Sequence, residues 1–373
     1  MKILYVSTST QRGGAENALR SLALAAHKAG HTVRIISLKS AGAVAEQMKQ
    51  DGLDIVSLDV AAKFSLLQTV GALARLINEI KTFQPDVVHA VLYRAIQLCR
   101  QAKKYAKFKL VTTPHYDLSK QNYFKRLWDR GLKNADDVSC AESQQTADFL
   151  LQKQKYSQHK LYLICNGVDT VYFSPDAQAR AKERKKMNFA AENKVFCCVA
   201  RLSEEKNHLV LLRAFASLYE KNPSVRLLLV GEGPEREKLQ DFVNLNIPQK
   251  AVMFAGDTTD VRPYLQAADI FVLPSETESL PLALLEACAC GLPAIVSKTG
   301  DMPQVVEHGE TGFVFNGKDP VLLCVLMAEL LENRVLCQKM GKKARTRTIK
   351  NYPLPEPKYL EIYTKINQFS REN

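Results

Sequence analysis

The sequence predicts an α/β protein of two doubly wound domains, each a parallel sheet with helices on both faces, and three observations carry that expectation. A chain of 373 residues exceeds what one core usually organises. Short apolar runs of strand length alternate with helical runs along both halves, the pattern of parallel sheets buried on both faces. Polar or glycine turns follow the apolar runs, and the alternation pauses once, near Asn166-Gly167-Val168-Asp169 and the polar run 178–186, before resuming at Lys194.

Lys2–Ser7 reads as the first strand. A polar turn ending in Gly13 and Gly14 leads into an amphipathic helix at 15–29, closed by Gly30, and then a strand at 32–38. Glycines at 13 and 14 let the backbone approach a ligand closely, although a lone Gly-Gly also serves as an ordinary turn. Further strands are expected at 53–58, 86–90, 109–113 and 137–141, separated by helical runs near 65–83, 92–105, 119–133 and 142–153. His89 and His115 fall at strand ends, where open sheets gather ligands; His89 is read as structural.

The second domain opens with a strand at 195–200 and the turn Arg201-Leu202-Ser203-Glu204-Glu205-Lys206, which leads into a helix reaching Tyr219. Arginine as a planar fork and lysine as a point charge can hold a diphosphate from two directions, though such a pair also occurs on plain surface turns. A strand at 225–230, the turn Gly231-Glu232-Gly233-Pro234 and a helix come next. They are followed by a strand at 252–255, Gly256 and a helix ending before Asp269.

Residues 269–296 then read as strand, polar loop, helix and strand. Pro281 suits the first turn of a helix running to Cys290, and Gly291 and Pro293 stop it. Donors in that first turn lack intrahelical partners and the helix dipole is positive there, so an anion is expected at Leu280 to Ala283. Glu278 in the loop stands beside that anion, and Glu286 follows roughly 8 Å along the axis from Pro281. One carboxylate can bind hydroxyls on whatever hangs from a phosphate, the other a diol on its far side; read alone, both also pass for surface charges. Turns at Gly300-Asp301-Met302-Pro303-Gln304 and Gly309-Glu310-Thr311-Gly312, helices at 319–332 and 334–350, and a last helical segment at 353–369 complete the chain.

In this order the motifs resemble the retaining GT-B glycosyltransferases of family 4. Glu278 and Glu286 within ESLPLALLEA are similar to the family's E-x7-E element, and Arg201 with Lys206 to its diphosphate clamp. Gly13-Gly14-Ala15-Glu16 and Gly231-Glu232-Gly233-Pro234 resemble its two glycine loops, and Thr113-Pro114-His115-Tyr116-Asp117 its histidine loop. Two departures show: Ser279 stands where the family usually has Gly, and Gln304 where it usually has Glu. The resemblance implies Rossmann-like domains facing across a cleft, with the acceptor on residues 1–172, the donor on 173–352, and residues 353–373 crossing back to the first domain. It implies that Glu278 contacts the donor sugar and Glu286 the ribose. Arg201, Lys206 and the stretch Ser279, Leu280, Pro281, Leu282 would take the diphosphate, with Gly13, Gly14, Gly231 and Gly233 beside the donor and His115 beside its sugar. Retaining transfer from a UDP-linked sugar to a saccharide or lipid-linked saccharide is the implied activity. No cofactor is expected, and no metal, since no Asp-x-Asp occurs.

Composition narrows the setting. The nine cysteines lie mostly in apolar runs and read as buried thiols of a cytoplasmic protein; none joins a zinc-spaced Cys/His set. The opening apolar run is too short for a signal peptide, and no apolar stretch is long enough to span a bilayer. Of the net charge of +12, most belongs to residues 1–170, with 24 Lys and Arg against 14 Asp and Glu; residues 171–373 carry 27 against 25. The first half therefore suits an anionic partner, a phosphate-bearing acceptor or an acidic membrane surface; no nucleic-acid motif is present. At helical spacing Tyr123, Phe124, Leu127 and Trp128 share one side and Lys125, Arg126 and Arg130 the other, with Lys120 just before them. That pattern suits a helix lying in a membrane interface on the inner face of the plasma membrane, or one packing its apolar side on its own domain. A sugar-nucleotide epimerase, a glycoside hydrolase and a catalytically silent membrane-associated partner are the rival readings. The hydrolase leaves Arg201, Lys206 and the glycine turns without a role.

Overall fold

The computed structural model describes residues 1–11, 13–60, 66–115 and 121–368, with only the backbone at 66 and 67. The chain divides into two compact units, one formed by Met1–Asn166 and the stretch from Pro355, the other by Gly167–Leu354. The first unit holds strands β1 (Lys2–Ser7), β2 (Thr32–Ser37), β3 (Asp54–Ser57), β4 (Val87–Val91), β5 (Lys109–Thr113), β6 (Val138–Ala141) and β7 (Leu161–Leu163), in the spatial order β3-β2-β1-β4-β5-β6-β7. The second holds β8 (Lys194–Val199), β9 (Val225–Val230), β10 (Val252–Gly256), β11 (Ile270–Leu273), β12 (Ala294–Ser297) and β13 (Gly312–Phe315), in the order β10-β9-β8-β11-β12-β13. All pairings within both sheets are parallel.

Both sheets start in the middle, run to one edge, and return to the other side of the first strand. The resulting switch points lie between β1 and β4 and between β8 and β11. Ligands in open α/β sheets gather outside the carboxyl ends of strands at such points, because the two connections leave in opposite directions and open a crevice. The strands are buried on both faces, which explains their continuous apolar character: Ile3, Leu4, Tyr5 and Val6 are all inaccessible to water. The helix Gly14–Lys28 covers one face through Leu19, Leu22, Ala23 and Ala26, the i, i+3, i+4, i+7 stripe of an amphipathic helix. The helix Glu356–Gln368 belongs to this unit. Its Tyr359, Ile362 and Tyr363 enter the same core as Ile3, Tyr5 and Leu19, and the Ser21 hydroxyl donates to Glu356. His89 on β4 is enclosed there, with Tyr363 Oη 2.5 Å from Nδ1 and Thr113 Oγ1 2.8 Å from Nε2. Burial pushes its imidazole down to about 3, so it is neutral.

Helix Tyr123–Leu132 packs in the reverse of the usual sense. Asp129, in the middle of its basic side, is buried and accepts from Arg100 Nη1 at 2.8 Å, from Gln97 at 3.0 Å and from Tyr156 at 2.9 Å. Arg100 also forks onto Asp136, with bonds of 2.8 and 2.7 Å. This buried ion network holds Asp129 inward, while Lys125 and Arg130 stay exposed beside it and Tyr123, Phe124, Leu127 and Trp128 are exposed on the far side. The expected alternative, an apolar side packed on its own domain, is not what the structure shows.

Four elements went unread in the sequence. Helices Ala43–Gln50 and Ala177–Lys186 and the short strands β7 and β13 were not expected. Ala177–Lys186 replaces an apolar face with arginines. Arg184 reaches the carbonyls of Ala267, Ala190 and Asn193, and Arg180 pairs with Asp269 at 3.0 Å. The units divide at Asn166/Gly167 and Leu354/Pro355, where the sequence suggested 172/173 and 352/353. All nine cysteines are free thiols, and no helix among the described residues is long and apolar enough to cross a membrane.

Replacing Arg100 by Leu leaves Asp129 and Asp136 buried without a counter-ion. Chemical denaturation of Arg100→Leu is expected to show a loss of about 3–5 kcal/mol, as for other broken buried pairs.

Candidate functional site

In the second unit the switch point brings the turn after β8 against the loop after β11. The β8 turn is first laced to the turn after β9: Leu202 N–H donates to Glu232 O at 3.0 Å, and Glu235 N–H to Leu202 O at 2.9 Å. Gly231 and Gly233 are required by this approach, since a Cβ would stand 2.1 Å from Ala200 O at the first and 2.3 Å from Leu202 O at the second.

Glu204–Lys206 forms a short 3-10 turn, and Asn207 takes the left-handed conformation (φ 57°, ψ 36°) before the helix His208–Lys221. The Asn207 amide donates to Gly317 O at 2.7 Å, and Glu276 N–H donates to Glu205 O at 2.8 Å, tying the β8 turn to the β11 loop. Lys206 Nζ then meets Glu278 Oε1 at 2.6 Å, with both side chains largely shielded from water. Such a charge-assisted bond in partial burial fixes both groups more firmly than a surface pair does. Arg201 sits on the same turn, exposed, and among the described residues its guanidinium pairs with no carboxylate. Burial raises the Glu205 carboxyl, but Ser203, Lys206 and Arg201 together hold it below its ordinary value.

The β11 loop is clasped from beneath by Gly300 and Asp301. Asp301 N–H donates to Ser279 O at 2.8 Å, and Gly300, at φ +55°, lies so close that a Cβ would stand 2.4 Å from Glu278 O. Helix Leu282–Ala289 follows with Pro281 as its N-cap residue, one position later than expected. Ser279, Leu280, Pro281 and Leu282 thus form the entry to that helix, where backbone donors precede the helix's own hydrogen bonding. Glu286 lies further along it. Burial, then the neighbouring Asp260, pushes its carboxyl up to about 7.

In the first unit Gly13 caps helix Gly14–Lys28 in an extended conformation (φ −178°, ψ 163°), at the carboxyl end of β1. Arg12 in that turn lies outside the described residues. His115 follows β5 in the left-handed region (φ 51°), and burial pushes its imidazole down to about 4, so it is neutral at pH 7. Tyr116, Asp117 and Lys120 lie outside the described residues. Phe124, Lys125, Arg126, Trp128 and Arg130 all lie on the helix Tyr123–Leu132.

The structure thus joins Lys206 directly to Glu278, puts Arg201 on the turn that carries Lys206, and sets Glu286 further down the adjoining helix. Asn207, Glu205, Asp260, Gly300 and Asp301 were not singled out as site residues in the sequence. The Gly300-Asp301 turn was visible as a motif, but nothing local said that it would hold Glu278. Among the described residues no group of three or more His, Cys, Asp or Glu is placed to hold a metal ion.

Residues 12–172 match Glycosyltransferase Family 4, and residues 179–347 match Glycosyl transferases group 1. Sulfoquinovosyl transferase SQD2 of Arabidopsis thaliana is 28% identical over 291 residues, covering 74% of this chain and 56% of that protein. A GDP-mannose-dependent alpha-(1-6)-phosphatidylinositol monomannoside mannosyltransferase of Mycolicibacterium smegmatis is 32% identical over 195 residues, covering 50% of this chain and 51% of its own. The chain spans about half the length of the curated relatives it matches. Among solved structures, HepE of Anabaena in complex with UDP has a TM-score of 0.83 at 22% identity, covering 100% of this chain and 99% of that one.

The raised carboxyl of Glu286 has a stability consequence with a definite sign. Between the ordinary carboxylate value of 4.5 and about 7 the folded chain holds a proton that the unfolded chain has lost, so stability falls as pH rises through that window. Thermal melts of parent and Glu286→Gln should therefore diverge as pH rises, the variant melting progressively higher than the parent up to about pH 7 and by a constant margin above it.

Proposed function

The chain belongs to the GT-B glycosyltransferases that join a Glycosyltransferase Family 4 domain to a Glycosyl transferases group 1 domain, and on that premise we propose that it transfers a sugar from a nucleoside diphosphate sugar to an acceptor with retention of configuration. The observation that carries the reading is the pairing of Lys206 with Glu278 at 2.6 Å, at the switch point of the second sheet. A cation and a carboxylate held there at fixed separation suit two adjoining parts of one ligand, the phosphate and the sugar it carries.

Glycosyl transfer breaks the bond between the anomeric carbon and the diphosphate oxygen, and negative charge grows on the departing diphosphate while the sugar takes on oxocarbenium character. In this proposal Lys206, Arg201 and the entry of helix Leu282–Ala289 stabilise the leaving diphosphate. Preorganised charge of this kind supplies the largest catalytic contribution in many enzymes. Glu278 holds hydroxyls of the donor sugar and orients Lys206, while Glu286 binds the ribose. Gly13, Gly14 and His115 take the donor-side roles that the resemblance implies, His115 as a neutral imidazole. Ser279 contributes its backbone at the position where the family has Gly.

For the donor we propose a UDP-linked sugar, supported by the UDP held by HepE; the mannosyltransferase relative, named for GDP-mannose, makes GDP the competing base. The acceptor is a saccharide or lipid-linked saccharide of the cell envelope, supported by the basic first half of the chain and by a relative named for a phosphatidylinositol mannoside. The reaction is placed in the cytoplasm, at the inner face of the plasma membrane.

Melting shifts with UDP, GDP, ADP and CMP should single out UDP, and a shift with GDP alone would replace it as the base. Lys206→Ala and Glu278→Ala should each lower turnover by about 100-fold or more while leaving the melting profile of a folded protein. Near-parental turnover in either variant would overturn the mechanism.

A further inference from the structure

The aromatic side of helix Tyr123–Leu132 is left uncovered by the described residues: Phe124 is 78% exposed, Tyr123 66%, Trp128 56% and Leu127 51%. Its orientation is imposed from behind, because the Arg100–Asp129 pair anchors the opposite side. Contiguous exposed aromatics on one helix mark a surface that something else covers. Cations surround it. Lys125, Arg126 and Arg130 form no ion pair among the described residues; Lys125 donates to Gln121 Oε1 at 3.0 Å, Arg130 donates to Lys153 O, and Lys133 donates to the carbonyls of Gln154 and Lys155. Beside the aromatics opens a cavity of about 400 Å³, lined among others by Tyr93, Gln97, Leu98, Asn122, Phe124 and Trp128. Tyr93 and Asn122 stand at the starts of the helices that follow β4 and β5, so one end of the cavity lies toward the carboxyl edge of the sheet.

We propose that this face docks on an anionic bilayer: Phe124, Leu127 and Trp128 enter the interface, Lys125, Arg126 and Arg130 meet lipid phosphates, and the cavity receives part of one lipid's apolar chain. Trp and Phe beside cations that meet no carboxylate among the described residues are what the boundary between head groups and acyl chains selects. Charge argues against a second copy as the occupant. The unit carries 24 Lys and Arg against 14 Asp and Glu up to residue 170, so like surfaces repel. The inference deepens the proposed location at a membrane and rests on it, but its test needs no turnover.

Sedimentation with vesicles of phosphatidylcholine alone, and of phosphatidylcholine mixed with phosphatidylglycerol, provides that test. The parent should bind the mixed vesicles preferentially, and less as salt is raised. Phe124→Ser/Trp128→Ser should reduce binding to them by about ten-fold or more, and Lys125→Gln/Arg126→Gln/Arg130→Gln should erase the preference for phosphatidylglycerol. The melting temperature and nucleotide-induced shift of both variants should match the parent, which shows that they remain folded. Equal binding to both vesicle types overturns the proposal, as does undiminished binding by the aromatic variant. A parent that ignores vesicles but forms dimers that Phe124→Ser/Trp128→Ser dissolves assigns the face to a second copy instead. In each of these failures, a retained nucleotide shift and turnover leave the glycosyl-transfer reading intact.

Discussion

The contact between Lys206 and Glu278 exists because β8 and β11 are neighbours in space although the two residues are 72 positions apart in the chain. A parallel sheet that reverses its strand order must open its connections on opposite sides of one crevice, and everything chemical in the second unit follows from that constraint. Asn207 and Gly317, Glu276 and Glu205, Gly300 and Glu278 are the ties that convert a topological opening into fixed geometry. Several are backbone bonds or steric vacancies at glycine, which cost no side-chain entropy to hold.

The electrostatic state of the resting site is economical. In the second unit burial pushes the Glu286 carboxyl up to about 7, and the shielded charges of Lys206 and Glu278 cancel each other. Arg201 presents an exposed positive charge on the turn that carries Lys206. On the proposed reading an arriving diphosphate meets Arg201 first and then competes with Glu278 for Lys206. The pair is thus a reserve of oriented charge that need not be reorganised when the leaving group departs.

Much of this was legible in the sequence, and the limits have physical causes. Strands such as β1 and β8 announce themselves because burial on both faces forces continuous apolar runs, and the glycine turns because only glycine fits beneath a neighbouring carbonyl. Helix Ala177–Lys186 was missed because its docking uses guanidinium groups on carbonyls, which leave no apolar period. β7 and β13 are short and peripheral. Within the site, Arg201, Lys206, Glu278 and Glu286 stood out by type and spacing, whereas the clasp of Gly300 and Asp301 depends on a loop approach that no local pattern encodes. Periodicity found both sides of helix Tyr123–Leu132 but could not say which faces inward. That choice was made by Asp129 meeting Arg100, two residues whose encounter belongs to the tertiary fold.

The helix Glu356–Gln368 fills a gap in the first unit's core with Tyr359, Ile362 and Tyr363, and encloses His89. During translation, the residues of β1 to β7 leave the ribosome long before that helix is made, and the whole of Gly167–Leu354 is synthesised in the interval. The amino-terminal unit therefore waits with an open apolar seam while the later-made unit is able to finish first, an inversion of the usual order of co-translational maturation.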